Sequence, residues 1–244
     1  MKAEFVPSPS VAPPPPSVTA VREDSPSEEL VAWALSRFSA QRLIVTTQFG
    51  MEGCALIDMC ARHGRPLRVI YLDTGFFFPE TYQLRDRLMG RYPHIRFVDG
   101  GTALTPAQQE TQYGPELWKH DPDLCCRLRK VDPMRAAMQG AEVWLTALRR
   151  SQSATRANLQ VIAWDWKYQV LKISPLAAWS RENVWHYIQQ HKVPYNPLHE
   201  RGYPTLGCVH CTSPVVGATV TTYTREGRWR GTGKTECGLH GEGI

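Results

Sequence analysis

The sequence predicts an α/β protein whose parallel sheet is flanked by helices. Three short runs rich in apolar residues, 43–45, 67–72 and 143–147, have the length of buried strands. Segments with the apolar spacing of helices lie between these runs, and the connections are short. Repeated alternation of strand and helix is typical of a parallel sheet covered on both faces. In such sheets, ligands bind at the carboxyl ends of the strands.

The composition is that of a globular protein with a sizeable core. The chain has 244 residues, of which 42% are hydrophobic and 21% are charged, which is enough for one large α/β domain. No apolar stretch approaches the length of a membrane span, and prolines interrupt the N-terminal region where a signal peptide would be apolar. We therefore expect a cytoplasmic protein with no membrane partner.

The charge pattern gives no support for a nucleic-acid partner. The formal net charge of +5 is modest and could serve a small anionic substrate as easily as nucleic acid. The sequence contains no arginine-rich block and no stripe of interleaved aromatic and basic residues. We therefore expect no nucleic acid among the partners of this protein.

The chain divides into three expected parts. Residues 1–26 are poor in apolar side chains and include a run of prolines, which predicts a disordered arm with polyproline II stretches. Residues 27–214 carry the alternation of strands and helices and are expected to form the α/β domain. Residues 215–244 have little helical pattern and several glycines, which predicts a mobile C-terminal segment.

The first half of the domain contains a candidate anion-binding loop. Apolar side chains at helical spacing over 30–38 predict the first helix. The strand at 43–45 then runs into a polar, glycine-containing loop, 46–53, and a buried helix is expected over 54–62. This arrangement directs backbone N–H groups at whatever the loop binds, which suits an anion, although an ordinary βα turn has the same pattern. The loop matches neither the Walker A motif nor the three-glycine dinucleotide fingerprint.

The second predicted strand, 67–72, ends in Asp73-Thr74-Gly75. Because parallel strands have their carboxyl ends at the same rim, we expect 73–75 to lie beside the loop 46–53. The remaining elements are expected in this order: a helix over 79–91, a strand over 95–98, irregular chain over 100–125, a helix over 128–139, the strand over 143–147, a hairpin of 159–164 with 169–173, and a helix capped by Ser180 that ends near His191.

The cysteines indicate metal ligation or thiol chemistry rather than a disulfide framework. The chain has seven of them, and two pairs stand out, the adjacent Cys125 and Cys126 and the more widely spaced Cys208 and Cys211. Four thiolates complete a shell for tetrahedral zinc or for an iron–sulfur cluster. Adjacent cysteines suit a compact zinc site poorly, so the spacing favours iron–sulfur over zinc. Four unrelated buried cysteines are the remaining alternative.

Cys237 is the cysteine left without a structural assignment. Cys54 and Cys60 fall on the helix that is predicted to be buried, and we interpret them as small core residues. Cys237 lies in a glycine-rich run and is followed three positions later by His240. An exposed thiol beside a histidine can be held partly as thiolate, which is the nucleophilic form. A surface cysteine without a function is the alternative.

Together these motifs closely resemble the assimilatory adenylylsulfate (APS) and phosphoadenylylsulfate (PAPS) reductases, in the branch that contains an iron–sulfur cluster. The resemblance runs from about residue 27 to residue 240. It is carried by these motifs: Gln48-Phe49-Gly50, Tyr71-Leu72-Asp73-Thr74-Gly75, Cys125-Cys126-Arg127-Leu128-Arg129-Lys130, Leu148-Arg149-Arg150-Ser151-Gln152-Ser153, Tyr195-Asn196-Pro197-Leu198-His199, Gly202-Tyr203-Pro204, Gly207-Cys208-Val209-His210-Cys211 and Lys234-Thr235-Glu236-Cys237-Gly238-Leu239-His240.

The resemblance implies an adenine nucleotide alpha-hydrolase-like sheet of the PP-loop type, which makes 27–214 a nucleotide-binding domain that carries the cluster. It also implies reduction of APS to sulfite and AMP with thioredoxin as electron donor, through a thiosulfonate (Cys–S–SO₃⁻) on Cys237. The implied catalytic residues are Cys237, His240 and Lys130, with Lys130 between cluster and substrate. The implied ligands of a 4Fe–4S cluster are Cys125, Cys126, Cys208 and Cys211. The implied substrate-binding residues are Thr46, Thr47, Gly50, Leu72, Asp73, Arg156, Arg225 and Arg228.

The implied chemistry explains the residue types near Cys237. Thiolate and sulfate are both anions, and the cations Lys130, Arg225 and Arg228 would offset their repulsion in the transition state. A protonated His240 is expected to add to this effect. The mobility expected for 215–244 is consistent with the implied two-step reaction, because Cys237 must first reach the substrate and later be exposed to thioredoxin.

The sequence departs from the family pattern at Ala147 and over residues 46–48. Several alternatives also stay open. Ala147 stands where relatives usually have glycine, which bears on a close approach of the backbone to the ligand. Thr46-Thr47-Gln48 stands where serines are common. The alternatives are a reductase that prefers PAPS or accepts both substrates, a PP-loop sulfur transferase that activates its substrate with a nucleotide, and a non-enzymatic zinc-stapled nucleotide-binding or redox-sensing module. A homo-oligomer is also left open.

Overall fold

The computed structural model describes residues 21–240. Its strands are β1 (Leu43–Thr47), β2 (Leu67–Tyr71), β3 (Ile95–Asp99), β4 (Val143–Leu145), β5 (Ile162–Asp165) and β6 (Val170–Ile173). Its helices are α1 (Ser27–Arg37), α2 (Met51–Ala61), α3 (Pro79–Arg91), α4 (Pro106–Tyr113), α5 (Leu117–His120), α6 (Pro122–Cys126), α7 (Asp132–Ala137) and α8 (Arg181–Gln190).

The strands form a six-stranded sheet in the order β3-β2-β1-β4-β6-β5. All neighbouring strands are parallel except β5, which runs antiparallel to β6. The predicted fold class and the predicted hairpin are therefore confirmed. The predicted helix over 79–91 coincides with α3, and Ser180 caps α8 by accepting a hydrogen bond from the Asn183 backbone N–H (3.1 Å).

The two faces of the sheet bury alternate residues of its strands, as the pleat requires. Val45 and Val69 lie in the larger core cluster together with residues of α1, α2, α3 and α8. Ile44 and Ile70 belong to a second cluster, which contains α7 residues and also Leu239. The C-terminal segment (residues 215–240 of those described) therefore contributes to the second apolar layer of the domain.

Helix α2 is buried along its whole length and lies directly behind the loop that follows β1. It begins after Gly50, earlier than the start at residue 54 that the apolar pattern predicted. The early start brings Gly53 against β1, where a Cβ atom would come within 2.6 Å of the Thr47 hydroxyl oxygen. Only glycine allows this approach, so the first turn of α2 is fixed close to the end of β1.

Two stretches differ from the sequence prediction. The chain over 100–125, expected to be irregular, contains α4, α5 and the start of α6. A capping box of Thr105 and Gln108 starts α4, and this local signal outweighs the weak apolar pattern there. The helix expected over 128–139 is interrupted, because a π-helical turn, Arg127–Val131, joins α6 to α7.

The ends of the chain only partly test the expected boundaries. Residues 1–20 and 241–244 lie outside the described residues, and most of the expected arm 1–26 falls there. Val21 is buried, and Glu23 pairs with Arg150 and accepts a hydrogen bond from the Val161 N–H, so the packed chain begins before the expected boundary at residue 27. Within residues 21–240, each helix falls short of the length and apolar character that a membrane crossing requires.

Candidate active site

A cavity of about 190 Å³ opens at the carboxyl ends of β1 and β2. The two strands are in register there, with Thr47 opposite Tyr71, so the loop after β1 lies beside the end of β2 as predicted. The predicted residues that line the cavity are Thr46, Thr47, Gly50, Leu72, Lys130, Arg156, Arg225, Arg228, Cys237 and His240. The tertiary structure thus brings segments from the whole length of the domain to one rim.

Asp73 does not belong to this lining, although the resemblance placed it at the nucleotide. Its carboxylate accepts hydrogen bonds from the Tyr82 hydroxyl (2.9 Å) and from the Gly75 backbone N–H (2.8 Å). Burial, together with the hydrogen bond to Asp73, raises the pKa of Tyr82 to about 12. The Asp73 side chain therefore shapes the turn after β2 and points away from the cavity.

The loop after β1 presents unpaired backbone donors to the cavity. Thr47 holds the loop by accepting a hydrogen bond from the Phe49 N–H (2.9 Å), and Phe49 has a left-handed backbone (φ 56°). Thr46 accepts a hydrogen bond from the Trp144 indole N–H (2.8 Å). Gly50 precedes α2 without a side-chain cap, so the first N–H groups of this helix are available to an anion in the cavity.

A buried ion network, which the sequence analysis did not identify, supports this loop from behind. The Glu52 carboxylate on the first turn of α2 accepts from Arg149 (2.8 Å) and from Arg181 (3.0 Å). Burial alone would raise the pKa of Glu52, but the two guanidinium groups outweigh it and lower this pKa to about 2. The network ties α2 to the chain after β4 and to α8. A glutamate inside an apolar run was the sequence signal that could have identified it.

Lys130 lies between two sites. It lines the rim cavity and also a second pocket that contains cysteines of α6. Burial opposes the charge of Lys130, but the thiolate forms of Cys208, Cys237 and Cys126 outweigh this effect and raise its pKa. Lys130 is therefore buried between the two sites, where ionised thiols favour its charged form.

Arg228 is fixed across the backbone of the turn that carries Cys208. It donates hydrogen bonds to the carbonyl oxygens of Cys211 (3.1 Å) and Leu206 (3.0 Å). A Cβ atom at Gly207 would lie 2.3 Å from its guanidinium group, so glycine is required there. These contacts attach Arg228, which lines the cavity, to the turn that bears two of the predicted cluster ligands.

Arg156 and Arg225 share one carboxylate, that of Glu236. Arg156 Nη2 lies 2.9 Å and Arg225 Nη2 lies 3.2 Å from the same oxygen, Glu236 Oε2. The Nε atoms of both arginines are buried and have no hydrogen-bond partner among residues 21–240. The two guanidinium groups therefore retain donor capacity beyond what Glu236 uses.

Cys237 follows Glu236 and is half-buried at the mouth of the cavity. The turn between β5 and β6 holds the next residues, because Tyr168 donates a hydrogen bond to the Leu239 carbonyl oxygen (2.8 Å) and Lys167 donates to that of Gly238. In the structure the Cys237 segment is thus attached to the domain through its backbone. The mobility expected for 215–244 stays a prediction.

His240 stacks on the Trp144 ring inside the cavity, with ring centroids 5.0 Å apart and an interplanar angle of 10°. Burial, followed by the charges of Lys172 and Arg156, lowers its pKa well below the usual value. In this conformation burial therefore disfavours the charged form of His240, and its protonation beside a bound sulfate stays a prediction. The sequence could not indicate this, since the stack and the nearby cations come from distant parts of the chain.

The four paired cysteines line one buried pocket. Cys125 and Cys126 come from α6, and Cys208 and Cys211 come from the turn near residue 209, with Phe76, Trp118 and Arg129 completing the lining. Burial, reinforced by the neighbouring thiolates, raises the pKa of Cys125 to about 12 and that of Cys211 to about 11. Four thiolates together are costly in this pocket unless metal cations neutralise them.

The spacing of the cysteine side chains in this pocket does not suit a single metal ion. Among residues 21–240, no three His, Cys, Asp or Glu side chains approach closely enough to hold one metal ion. The cysteines nevertheless share a single pocket and are all free thiols. Arg129 Nη2, which lies in the same lining, is buried without a hydrogen-bond partner among the described residues, and such a donor suits the sulfide of a cluster. The donor set therefore fits an iron–sulfur cluster better than zinc.

The fold is that of the adenine nucleotide alpha-hydrolase-like class, and its rim brings the Cys237 thiol into one cavity with four cationic side chains. The family model for the phosphoadenosine phosphosulfate reductase domain matches residues 42–214. The chain therefore belongs to the phosphoadenosine phosphosulfate reductase domain family. Its relatives include two bacterial proteins and one solved fungal structure.

The adenosine 5'-phosphosulfate reductase of Anoxybacillus flavithermus is 44% identical over 211 residues, covering 86% of this chain and 88% of that protein. The adenosine 5'-phosphosulfate reductase 2 of Bacillus subtilis is 40% identical and covers 88% of this chain and 89% of that protein. The crystal structure of the PAPS reductase from Candida auris, a phosphate complex, matches with a TM-score of 0.67 and 30% identity over 79% of this chain and 91% of that chain.

Proposed function

We propose that this protein reduces APS to sulfite and AMP in assimilatory sulfate reduction, with thioredoxin as the electron donor. The observation that carries the proposal is the position of Cys237 in one cavity with Lys130, Arg156, Arg225 and Arg228. A thiol nucleophile and several cations around one cavity suit attack on a sulfonated nucleotide. The relatives named adenosine 5'-phosphosulfate reductase support APS as the substrate.

In the first step, the Cys237 thiolate attacks the sulfur atom of APS. A bond forms between Sγ and the sulfate sulfur, and the bond between that sulfur and the bridging phosphate oxygen breaks, so AMP leaves with the electron pair. The enzyme then carries Cys237–S–SO₃⁻. Lys130 and Arg228 both line the cavity and stabilise the charge on the sulfate oxygens and the leaving phosphate. Each such contact contributes about 2–4 kcal/mol to the transition state.

The nucleotide is held by the rim of the sheet in this proposal. The uncapped N–H groups at the start of α2 bind its phosphate, together with the hydroxyl of Thr47 and the backbone of Gly50. Leu72 and Trp144 supply apolar walls for the adenosine part. The Cβ of Ala147 also lines the cavity, so the nucleotide meets a methyl group where most relatives have glycine.

We propose that Cys125, Cys126, Cys208 and Cys211 hold a 4Fe–4S cluster. When bound, the cluster would supply a charged group on the far side of Lys130 and would fix the turn of Cys208 and Cys211, to which Arg228 is hydrogen-bonded. Lys130, buried between the two sites, then keeps its charge facing the sulfate. Both electrons for the reduction come from thiols, so the chain's residues need no electron path between the pocket and Cys237.

In the second step, a thioredoxin thiolate attacks Sγ of Cys237. Sulfite leaves, a mixed disulfide forms, and the second thioredoxin thiol resolves it, so the dithiol supplies two electrons. An open groove of about 990 Å³, lined by Asp123, Lys234 and Cys237, leads from solvent to the thiol. Opening of the C-terminal segment 215–244 then exposes Sγ fully. The free thiols of the chain suit a reducing compartment, and we propose the cytoplasm.

The test is sulfite formation by anaerobically purified protein from APS, with and without reduced thioredoxin, beside the same assay with PAPS. We expect turnover of APS that depends on thioredoxin, and much weaker turnover of PAPS. Comparable turnover of both substrates would replace APS specificity by dual specificity. No sulfite from either substrate, from protein shown to contain iron and sulfide, would overturn the proposal and favour the sulfur transferase. Zinc in a colourless protein would instead favour the non-enzymatic module.

A further inference from the structure

We propose that, in the resting enzyme, the Glu236 carboxylate occupies the position at which the anionic group of the substrate binds. Nucleotide binding then displaces Glu236 and releases the Cys237 segment (residues 236–240). This inference rests on the proposed function, because it takes a phosphate-bearing nucleotide as the ligand. It assigns a role to the residue that immediately precedes the nucleophile. It also makes Arg156 and Arg225 the groups that sense the nucleotide.

The first argument is the geometry of the shared carboxylate. Glu236 Oε2 accepts from Arg156 Nη2 at 2.9 Å and from Arg225 Nη2 at 3.2 Å, and both arginines line the rim cavity. The arginine side chains are 7% and 19% exposed, so these ion pairs are largely shielded from water. A carboxylate between two guanidinium groups in a cavity for an anionic nucleotide occupies the position of a phosphate or sulfate oxygen.

The second argument is the donor capacity that Glu236 leaves unused. Arg156 Nε and Arg225 Nε are buried and lack a partner among the described residues. A carboxylate has only two oxygens, and Glu236 Oε1 faces Ser153 at 3.4 Å rather than a guanidinium group. A tetrahedral phosphate or sulfate group offers three terminal oxygens and can reach more of these donors. The two arginines are therefore better matched to the nucleotide than to Glu236.

The third argument concerns the other carboxylate of the cavity lining, that of Glu52. Glu52 is committed to Arg149 and Arg181, and this buried network lies behind the rim. Glu52 therefore does not compete with a nucleotide for Arg156 or Arg225. Within the lining of the cavity, Glu236 is the carboxylate that competes with a nucleotide for the two arginines.

Competition for the two arginines couples nucleotide binding to the attachment of Cys237. Without nucleotide, the segment is held by Glu236 and by the backbone contacts of Gly238 and Leu239 to the β5–β6 turn. When a phosphate group binds Arg156 and Arg225, the segment keeps its backbone contacts and the packing of Leu239 and His240 but loses the ion pairs of Glu236, and Cys237 gains freedom to move onto the sulfur atom. By linkage, the ion pairs of Glu236 weaken nucleotide binding by the same free energy by which the nucleotide weakens them.

The direction in which Glu236→Gln changes the affinity for AMP distinguishes this proposal from a positioning role of Glu236. If Glu236 occupies the anion seat, Glu236→Gln will bind AMP more tightly, by about three- to tenfold for two partly buried ion pairs. If Glu236 instead holds the two arginines in place for the nucleotide, the same variant will bind AMP more weakly. The matched control is Glu226→Gln, because Glu226 is an exposed glutamate of the same segment, outside the cavity lining.

The experiment is calorimetric titration of AMP into the full-length, cluster-loaded wild-type protein and both variants under anaerobic conditions. Tighter binding by Glu236→Gln alone supports the proposal, and equal or weaker binding overturns it. A second readout is the rate at which iodoacetamide alkylates Cys237 without nucleotide, followed by mass spectrometry. It should rise severalfold in Glu236→Gln, and an unchanged rate would overturn the coupling to Cys237.

The proposed function and this inference fail in different ways. If the wild-type protein binds no AMP and produces no sulfite, both fail together. If the wild-type protein binds AMP and produces sulfite while Glu236→Gln shows no gain in affinity, only the inference fails.

Discussion

Two groups of thiols lie on opposite sides of Lys130, and they differ in how the chain holds them. Cys125 and Cys126 belong to a helix, and their pocket is closed by Phe76 and Trp118. Cys237 lies in a segment without helix or strand and is half-buried. Its neighbours are held by two carbonyl contacts and by the ion pairs of Glu236.

In the proposed function, the difference follows from the different role of each group. Ligands of a metal cluster need fixed positions, which helices and turns buried in a core provide. A nucleophile that meets a nucleotide and then a protein partner needs a second position, and only weakly held chain can supply one. The same residue type therefore has different surroundings a short distance apart.

The largest effect is expected when one cysteine of each thiol group is replaced by serine. We expect Cys237→Ser to lose sulfite production on the order of a thousandfold or more, since the thiol nucleophile is gone, while its iron content stays at the wild-type level. We expect Cys208→Ser to lose iron. Iron and sulfide analysis beside the sulfite assay measures both outcomes. Normal sulfite production by Cys237→Ser would contradict the assignment of the nucleophile.

The next comparison replaces a glutamate by glutamine at two places, in the buried network of α2 and in the C-terminal segment. Glu52→Gln breaks a buried network and should lower the free energy of unfolding by about 3–5 kcal/mol. Glu236→Gln should lower it by only about 0–1 kcal/mol, because Glu236 is 21% exposed and the glutamine amide oxygen can still accept hydrogen bonds from the two arginines. Urea unfolding of both variants measures the difference, with the exposed Glu226→Gln as control. Equal losses for the two variants would remove the distinction between the regions.

The pH dependence of stability should sharpen this comparison. The pKa of Glu52 falls from 4.5 to about 2 on folding, so between these values the unfolded state binds more protons than the folded state. The stabilisation by Glu52 is therefore complete above about pH 5 and is lost as the pH falls toward 2. The difference in urea midpoint between wild type and Glu52→Gln should shrink over that range. A difference independent of pH would contradict the role of the ionised carboxylate.

The smallest effect concerns one hydrogen bond to the segment. Tyr168→Phe removes the bond to the Leu239 carbonyl oxygen, which contributes about 0.5–1.5 kcal/mol to the attachment of the segment. Alkylation of Cys237 should become about two- to tenfold faster, with the iron content unchanged. Tyr113→Phe is a suitable control, because Tyr113 is exposed and lies in α4. An alkylation rate equal to that of the control would show that Tyr168 does not hold the segment.

The sequence predicted the framework well where local signals are strong. Strands β1 and β2, helix α3 and the Ser180 cap of α8 follow from apolar runs and from capping residues that are adjacent in the chain. The chain over 100–125 was mispredicted, because α4 depends on its capping box and has little apolar periodicity. The family motifs identified residues of the cavity, and Asp73 alone among the predicted catalytic and substrate-binding residues lies outside the lining.

What the sequence by itself determined is the fold class and the family, because the apolar runs and the motifs that carry them are each made of residues close together in the chain; the role of Cys237 as nucleophile stays a prediction. Only the tertiary structure decided which charges meet. Arg156 and Glu236 are 80 positions apart, and Arg149 and Glu52 are 97 positions apart. It also decided that burial near Lys172, where His240 stacks on Trp144, lowers the pKa of His240. Charge state and pairing depend on distance and burial, and local sequence patterns specify neither.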